Sequence, residues 1–155
     1  MITDTVTIRK AKATLRDVER VAPLFDAYRQ FYGQPANPEL ARSFLQDRLE
    51  RNESTVFLAD QGNQTVGFAQ VYPSFSSGAA ARILILNDLY VVPGSRRTGI
   101  GRWLVTATLK HAEEVGAVRV TLSTAIDNFA AKALYDAVGF QPDTSFHVYH
   151  YALGR

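Results

Sequence analysis

Leu89-Tyr90-Val91-Val92-Pro93-Gly94-Ser95-Arg96-Arg97-Thr98-Gly99-Ile100-Gly101-Arg102-Trp103 is the stretch that decides how this chain folds. An apolar run ends in a Pro-Gly turn, and a loop carrying Gly99 and Gly101 then opens a segment with helical spacing. Those signals read as strand, turn and helix. The first N–H groups of a helix have no intrahelical partner, so they form an anion site that the helix dipole reinforces. Gly99 and Gly101 lack Cβ and let a pyrophosphate approach the backbone closely. Arg96, Arg97 and Arg102 add charge-assisted donors around the loop. Other phosphate loops fit poorly: a dinucleotide fingerprint needs a glycine where Leu104 stands, and a P-loop needs a lysine that this loop lacks. A lone G-x-G also fits an ordinary turn into a helix; the arginines and the preceding strand favour the anion site.

Outward from this stretch, Thr5–Arg9 alternates and reads as a first strand. Thr14 with Asp17 three residues on marks a helix start, followed at helical spacing by Leu15, Val18, Val21, Ala22, Phe25, Tyr28 and Tyr32. Pro23 inside that pattern predicts a kink or two consecutive helical pieces. Asn37-Pro38 opens a second helix as cap and first-turn proline. Thr55–Ala59 and Val66–Tyr72 read as a hairpin, and Pro73–Gly78 as a turn into a long strand over Arg82–Val92. The spacing then predicts a helix from Ile100 to about Val115 with Gly116 at C′, a strand over Val118–Ser123, a helix over Asn128–Val138 and a last strand over Phe146–Leu153. The order β-α-α-β-β-β-α-β-α-β implies an α/β (α+β) fold, a mixed sheet covered by helices. No repeat or linker divides the chain, so residues 1–155 read as one domain.

Composition narrows the function. With 155 residues, 46% hydrophobic and 21% charged, the chain matches an ordinary globular domain rather than a disordered or collagenous one. No apolar run reaches ~18 residues, so no membrane span is expected. Met1-Ile2-Thr3-Asp4-Thr5 lacks the basic and apolar regions of a secretory signal. The absence of cysteine removes disulfides, thiolate nucleophiles and cysteine-ligated zinc, and fits a cytoplasmic location. The net charge is only +2 although the isoelectric point is near 9.0, too weak a field for a nucleic-acid partner. Three of the four arginines between Asp60 and Arg102 crowd the glycine loop, which points to one phosphate-bearing small ligand. His147 and His150 fall three apart on the last predicted strand and face opposite sides, which argues against a metal pair. His111 reads onto an exposed helix face.

Two blocks carry a family resemblance. Arg96-Arg97-Thr98-Gly99-Ile100-Gly101 matches an R/Q-x-x-G-x-G/A signature, and Asn128-Phe129-Ala130-Ala131-Lys132-Ala133-Leu134-Tyr135-Asp136-Ala137-Val138-Gly139-Phe140 matches N-x-x-A-x-x-x-Y-x-x-x-G-F. On these blocks, which span Leu86 to Phe140, the chain resembles the GNAT acetyltransferase superfamily. The resemblance implies a GNAT-like splayed sheet, acetyl-CoA as acetyl donor and no metal. It implies that the backbone of Leu89-Tyr90-Val91, where the fourth strand leaves the fifth, binds the pantetheine amides as an added strand would. Arg96, Arg97, Thr98, Gly99, Ile100, Gly101 and Arg102 would hold the pyrophosphate, and Asn128 the pantetheine arm. Tyr135, seven residues further along the same helical face, would reach the sulfur. Family habit also implies a homodimer.

Acetyl transfer to an amine needs a neutral amine, a polarised thioester carbonyl and a proton for the leaving thiolate. A primary ammonium has a pKa of about 10, so a carboxylate or a carboxylate–water relay is the expected base. Asp88 is the only acid between Asp60 and Glu113 and immediately precedes Leu89. Its other readings are a substrate-binding acid, a partner of Arg82 or a solvated charge. Tyr135 is the expected general acid; the competing reading is a core aromatic beside Leu134. Leu86-Asn87-Asp88-Leu89-Tyr90-Val91 resembles the L-E-D-φ-φ-V strand of polyamine and diamine acetyltransferases, with Asn87 in place of the glutamate that acts as base there. Asparagine cannot take that proton, and strand alternation predicts that Asp88 faces the other side. Tyr28, Tyr32 and Tyr72, with Asn87 and Asp88, are the candidate acceptor-site residues, although a core stripe also explains Tyr28 and Tyr32. The sequence-level expectation is direct acetyl transfer to a small-molecule primary amine such as a diamine, polyamine or amino acid. A protein lysine or N-terminal acetyltransferase and a silent CoA-binding module are the alternatives.

Overall fold

Alternating apolar residues and tight turns build a five-stranded sheet in the computed structural model, which describes residues 5–155. The strands are β1 (Val6–Lys10), β2 (Thr55–Gln61), β3 (Gln64–Ser76), β4 (Ala81–Val91) and β5 (Val120–Thr121), side by side in that order. β1 to β4 pair antiparallel and β5 joins β4 in parallel, so the sheet is mixed as expected. The helices are α1 (Leu15–Phe31), α2 (Pro38–Glu50), α3 (Ile100–Glu114) and α4 (Phe129–Val138). The chain forms two compact units, one through Ser123 and one from Thr124 to Arg155. The reading of Met1–Asp4 as free of a leader lies outside the described residues.

Local chemistry explains the helix ends. Thr14 Oγ1 accepts from Asp17 N–H at 3.3 Å and caps α1. The Asp17 carboxylate does not close a capping box; it accepts from Lys12 N–H at 2.7 Å and from the Arg9 guanidinium at 2.8 and 2.9 Å. α1 runs unbroken through Pro23, contrary to the two-piece expectation. Pro23 is exposed, so its ring meets solvent and the helix forgoes one N–H bond, toward the Glu19 carbonyl. Asn37 caps α2 by accepting from Leu40 N–H at 3.2 Å.

The first unit buries Val21, Ala22, Phe25, Ala41 and Leu45 of α1 and α2 against Val56, Leu58 and Phe68 of β2 and β3. Each Val, Leu or Phe side chain among them contributes about 1.5–3 kcal/mol when fully withdrawn from water. The other face of the sheet meets α3 across Gly67, where a Cβ would stand 3.1 Å from the Tyr90 carbonyl and 3.3 Å from Ile100 and Leu104 side-chain carbons. A side chain at this position would be tightly squeezed. The hairpin turn tightens to Gly62-Asn63, since Gln61 pairs with Gln64. β3 does not turn at Pro73 as expected but continues to Ser76. Beyond Val71 it pairs with β4 alone, and a strand paired on one side tolerates a proline.

A bulge interrupts β4. Val71 pairs with Leu86, yet Gln70 pairs with Asp88, leaving Asn87 as the extra residue. Cross-strand partners share a face, so the bulge reverses the alternation of β4 at this point. Asp88 comes to the face of Phe68 and Gln70, under α1, while Leu86 faces the other way.

In the second unit, Asn128 Oδ1 accepts from Ala131 N–H at 3.2 Å and starts α4, and Gly139 ends it at φ +113°. Residues 146–153 form no strand, which corrects the last element of the expected order. Alternation makes that segment able to pair, but a strand also needs a hydrogen-bonded neighbour, and the ladder ends at β5 among the described residues. Phe146, Val148, Tyr149, Tyr151 and Leu153 are exposed there. β5 likewise shrinks from the expected Val118–Ser123 to two residues.

Candidate functional site

The glycine loop forms as its sequence implies. Pro93–Ser95 makes one 3₁₀ turn, and Gly99 stands at φ +88° as the N-cap of α3. Arg97 is also left-handed, at φ +64°. Thr98 Oγ1 donates to the Ser95 carbonyl at 2.6 Å and holds the loop to itself. Ile100 is buried and packs beside Gly67, whereas Arg97, Thr98, Gly99 and Arg102 are exposed. Exposed amides at a helix start, without a Cβ at Gly99, fit a pyrophosphate. Arg96 is placed differently from the sequence expectation. Its Nε donates to the Val91 carbonyl at 2.8 Å and its guanidinium lies 5.5 Å from the Tyr90 ring centre, so it clasps the end of β4 rather than extending from the loop.

β4 pairs with β3 along its length but with β5 only at Leu84 and Ile85. The β5 side of Leu89, Tyr90 and Val91 therefore lies outside any ladder among the described residues. That is the splay, and it leaves backbone groups for an added chain.

On the α1 side of the same strand lies a cavity of about 270 Å³, lined by Phe25, Tyr28, Arg29, Leu40, Phe44, Tyr72, Asn87 and Asp88. Four of the five candidate acceptor residues meet there. Tyr32 does not line it; it is half exposed, and its ring lies tilted against that of Tyr28 with centres 4.9 Å apart. Asn87 and Asp88 reach the cavity together, which corrects the alternation argument, because the bulge turns two consecutive residues toward one space. Asp88 is 1% exposed. Its Oδ2 accepts from Gln70 Nε2 and its Oδ1 from Asn87 Nδ2, each at 2.7 Å. Burial pushes its pKa above the usual carboxylate range, while the donors from Asn87, Gln70 and Tyr28 pull it back. The Tyr28 hydroxyl also donates to the Asn87 carbonyl at 3.0 Å and ties α1 to the bulge. Burial, then the Asp88 charge, raises the Tyr72 pKa and keeps that phenol protonated. Asp88 is thus neither a partner of Arg82 nor a solvated charge.

Phe25, Arg29, Leu40, Phe44 and Gln70 were not read as site residues in the sequence. Gln70 did carry a signal: it is a polar residue in the apolar run Val66–Tyr72, and it is fully buried. His111 is a correction. It is half buried, near Thr55 Oγ1 at 3.4 Å and edge-on to Phe57 at 5.8 Å, and burial lowers its pKa.

Within the second unit, Asn128 spends its side-chain oxygen on the helix cap. Tyr135 is half buried, its ring 5.7 Å from Phe140 in an edge-on arrangement. The described residues contain no cluster of three or more metal-ligating side chains. No described helix is long and apolar enough to cross a membrane.

A splayed mixed sheet, a phosphate-type helix start and a buried carboxylate beside the splay define an acyl-transfer fold. The acetyltransferase (GNAT) family model matches residues 21–140, and the chain belongs to that family. It is 43% identical over 146 residues to an uncharacterized N-acetyltransferase of Bacillus subtilis (strain 168), YhfO, covering 94% of this chain and 95% of that protein. It is 26% identical over 147 residues to a D-amino-acid N-acetyltransferase of Saccharomyces cerevisiae, covering 92% and 89%. A crystal structure of a probable acetyltransferase, 39% identical, matches it with a TM-score of 0.88 over 96% of this chain and 99% of that one.

Proposed function

We propose that this chain acts as a single domain that transfers acetyl directly from acetyl-CoA to a primary amine of a small molecule. The observation that carries this reading is Asp88, buried at a bulge, held by two amide donors and opening into an aromatic-walled cavity beside the splay. Acetyl-CoA supplies the acetyl group on a thioester. The amides of residues 96–102 with the Arg97 and Arg102 side chains would bind its pyrophosphate, and the backbone of Leu89–Val91 on the side away from β3 its pantetheine amides. Asp88 takes one proton from the substrate ammonium; its raised pKa brings it nearer the amine and makes it a stronger base than an exposed carboxylate. Strand amides at the splay can polarise a carbonyl. The Tyr135 hydroxyl donates the proton that the departing thiolate needs. No cysteine exists to carry the acetyl group, so transfer takes one displacement: C–N forms, C–S breaks, the second proton that the nitrogen sheds returns through solvent to the Tyr135 oxygen, and amide and thiol leave.

Thiol release from acetyl-CoA across a panel of small amines tests this reading. Turnover with at least one amine is expected. Binding of acetyl-CoA without thiol release from any amine would favour a silent module, and labelled bands in a lysate given labelled acetyl-CoA would favour protein acceptors.

A further inference from the structure

The acceptor cavity holds a second charged group besides Asp88. Arg29 lines it from the last turn of α1, directly after Tyr28, and its side chain is largely buried at 16% exposure. Arg29 is fixed in place: Nη1 donates to Asp26 Oδ1 at 3.1 Å and lies 3.4 Å from the Pro35 carbonyl. Asp26 spreads its charge further by accepting from Asn37 N–H at 2.9 Å and Gln30 Nε2 at 3.4 Å. All of the hydrogen bonds described for Arg29 use Nη1, which leaves the other edge of a planar fork whose geometry matches a carboxylate.

From this arrangement we infer that the acceptor is an α-amino acid with an apolar side chain, its carboxylate held by Arg29 and its amine beside Asp88. The inference rests on the acetyl-transfer reading above and narrows it. Opposite charges fix the orientation, since an amine at Arg29 or a carboxylate at Asp88 would face a like charge. Apart from Asn87 beside Asp88, Phe25, Tyr28, Leu40, Phe44 and Tyr72 supply the remaining wall, which suits an aliphatic or aromatic side chain. About 270 Å³ lies just below the usual range for drug-sized ligands and suits a small molecule. A diamine or polyamine fits worse, because its second ammonium would meet the Arg29 guanidinium and Asp26 is already engaged. Arg29 therefore sets specificity for the carboxylate and takes no part in proton transfer.

The test compares amino acids with the amines that lack only the carboxylate, phenylalanine with phenethylamine and leucine with isopentylamine. The readouts are thiol release and thermal shift, in wild type and in Arg29→Lys, which keeps the charge and removes the fork. In wild type, loss of the carboxylate should lower kcat/KM by about 10- to 100-fold, mainly through KM. In Arg29→Lys most of that preference should vanish, because kcat/KM falls further on the amino acid than on the bare amine. Equal kcat/KM for both members of each pair, or an equal fall for both in Arg29→Lys, would overturn the inference. So would turnover confined to diamines and polyamines, which leaves acetyl transfer standing. If amino acids raise the melting temperature of wild type but not of Arg29→Lys and no amine releases thiol, the carboxylate site stands and the acetyl-transfer reading falls. Neither thiol release nor a thermal shift would sink both.

Discussion

Gln70 Nε2 stands 2.7 Å from Asp88 Oδ2 across the β3–β4 pair, and the two residues face each other because Asn87 bulges out of β4 between Leu86 and Asp88. Gln70 is fully buried and its Oε1 has no hydrogen-bond partner among the described residues, so this amide forgoes one polar contact while its other end holds the carboxylate. An orphaned buried acceptor costs about 1–3 kcal/mol, which a purely structural residue of the same size would avoid. The price is consistent with a residue whose task is to position Asp88.

Gln70→Leu tests that role. Leucine removes the donor and the orphaned oxygen together at similar volume but leaves the buried Asp88 Oδ2 without that donor, so stability should fall by about 1–3 kcal/mol. The Gln70 bond lowers the Asp88 pKa, and its loss raises it. The acidic limb of the kcat/KM profile should therefore move to higher pH, with the alkaline plateau largely kept. An unmoved limb would make Gln70 a structural residue only.

Asp88→Asn keeps shape and polarity but cannot take a proton. The expected loss in kcat is about 10²-fold or more, the usual contribution of a positioned base. Stability should move the other way with pH. The folded state raises the Asp88 pKa, so this group's contribution is fully present below the ordinary carboxylate pKa and is lost as pH rises through the folded value. The melting temperature of Asp88→Asn relative to wild type should thus improve between pH 4 and pH 8. A constant difference would mean that Asp88 titrates as it does in the unfolded chain.

The features that were legible in the sequence are those whose chemistry is local. Gly99, Arg96–Arg102 and the Asn128–Phe140 block declare themselves by spacing, and Thr14, Asn37 and Gly139 mark helix ends because capping involves residues three or four apart. The bulge at Asn87 was not legible. Leu84-Ile85-Leu86-Asn87-Asp88-Leu89 carries no glycine or proline to announce it, so alternation put Asp88 on the wrong side. Arg29, Leu40 and Phe44 belong to helices more than 40 residues from Asp88, and packing alone brings them to its cavity. Phe146–Leu153 shows the converse: its alternation was real, but pairing depends on a neighbour that no pattern within the segment specifies.

Gly67→Ala tests how α3 is seated. The added Cβ would meet the Tyr90 carbonyl at 3.1 Å and the side chains of Ile100 and Leu104 at 3.3 Å. The two side chains can shift by a few tenths of an ångström; the carbonyl belongs to the β3–β4 ladder and cannot do so without disturbing Val91 opposite Gly67. Overpacking of this kind costs about 1–3 kcal/mol. A fall in melting temperature of roughly 2–4 °C per kcal/mol is expected for a chain of this size. An unchanged melting temperature would show that the helix yields freely.

Tyr135→Phe separates binding from chemistry. The ring packs edge-on to Phe140 at 5.7 Å, and phenylalanine preserves that contact and the helical position seven residues from Asn128. If the hydroxyl protonates the departing thiolate, its removal affects only the transition state, so kcat and kcat/KM should fall together. The fall should be about 10²-fold, at the low end for general acid catalysis because water can replace the donor. Acetyl-CoA affinity, measured calorimetrically, should stay within about twofold, since the pyrophosphate and pantetheine contacts assigned to residues 89–102 are untouched. A loss of affinity with unchanged kcat would instead make the hydroxyl a binding contact, and an intact enzyme on both counts would leave Tyr135 as a packing residue of α4.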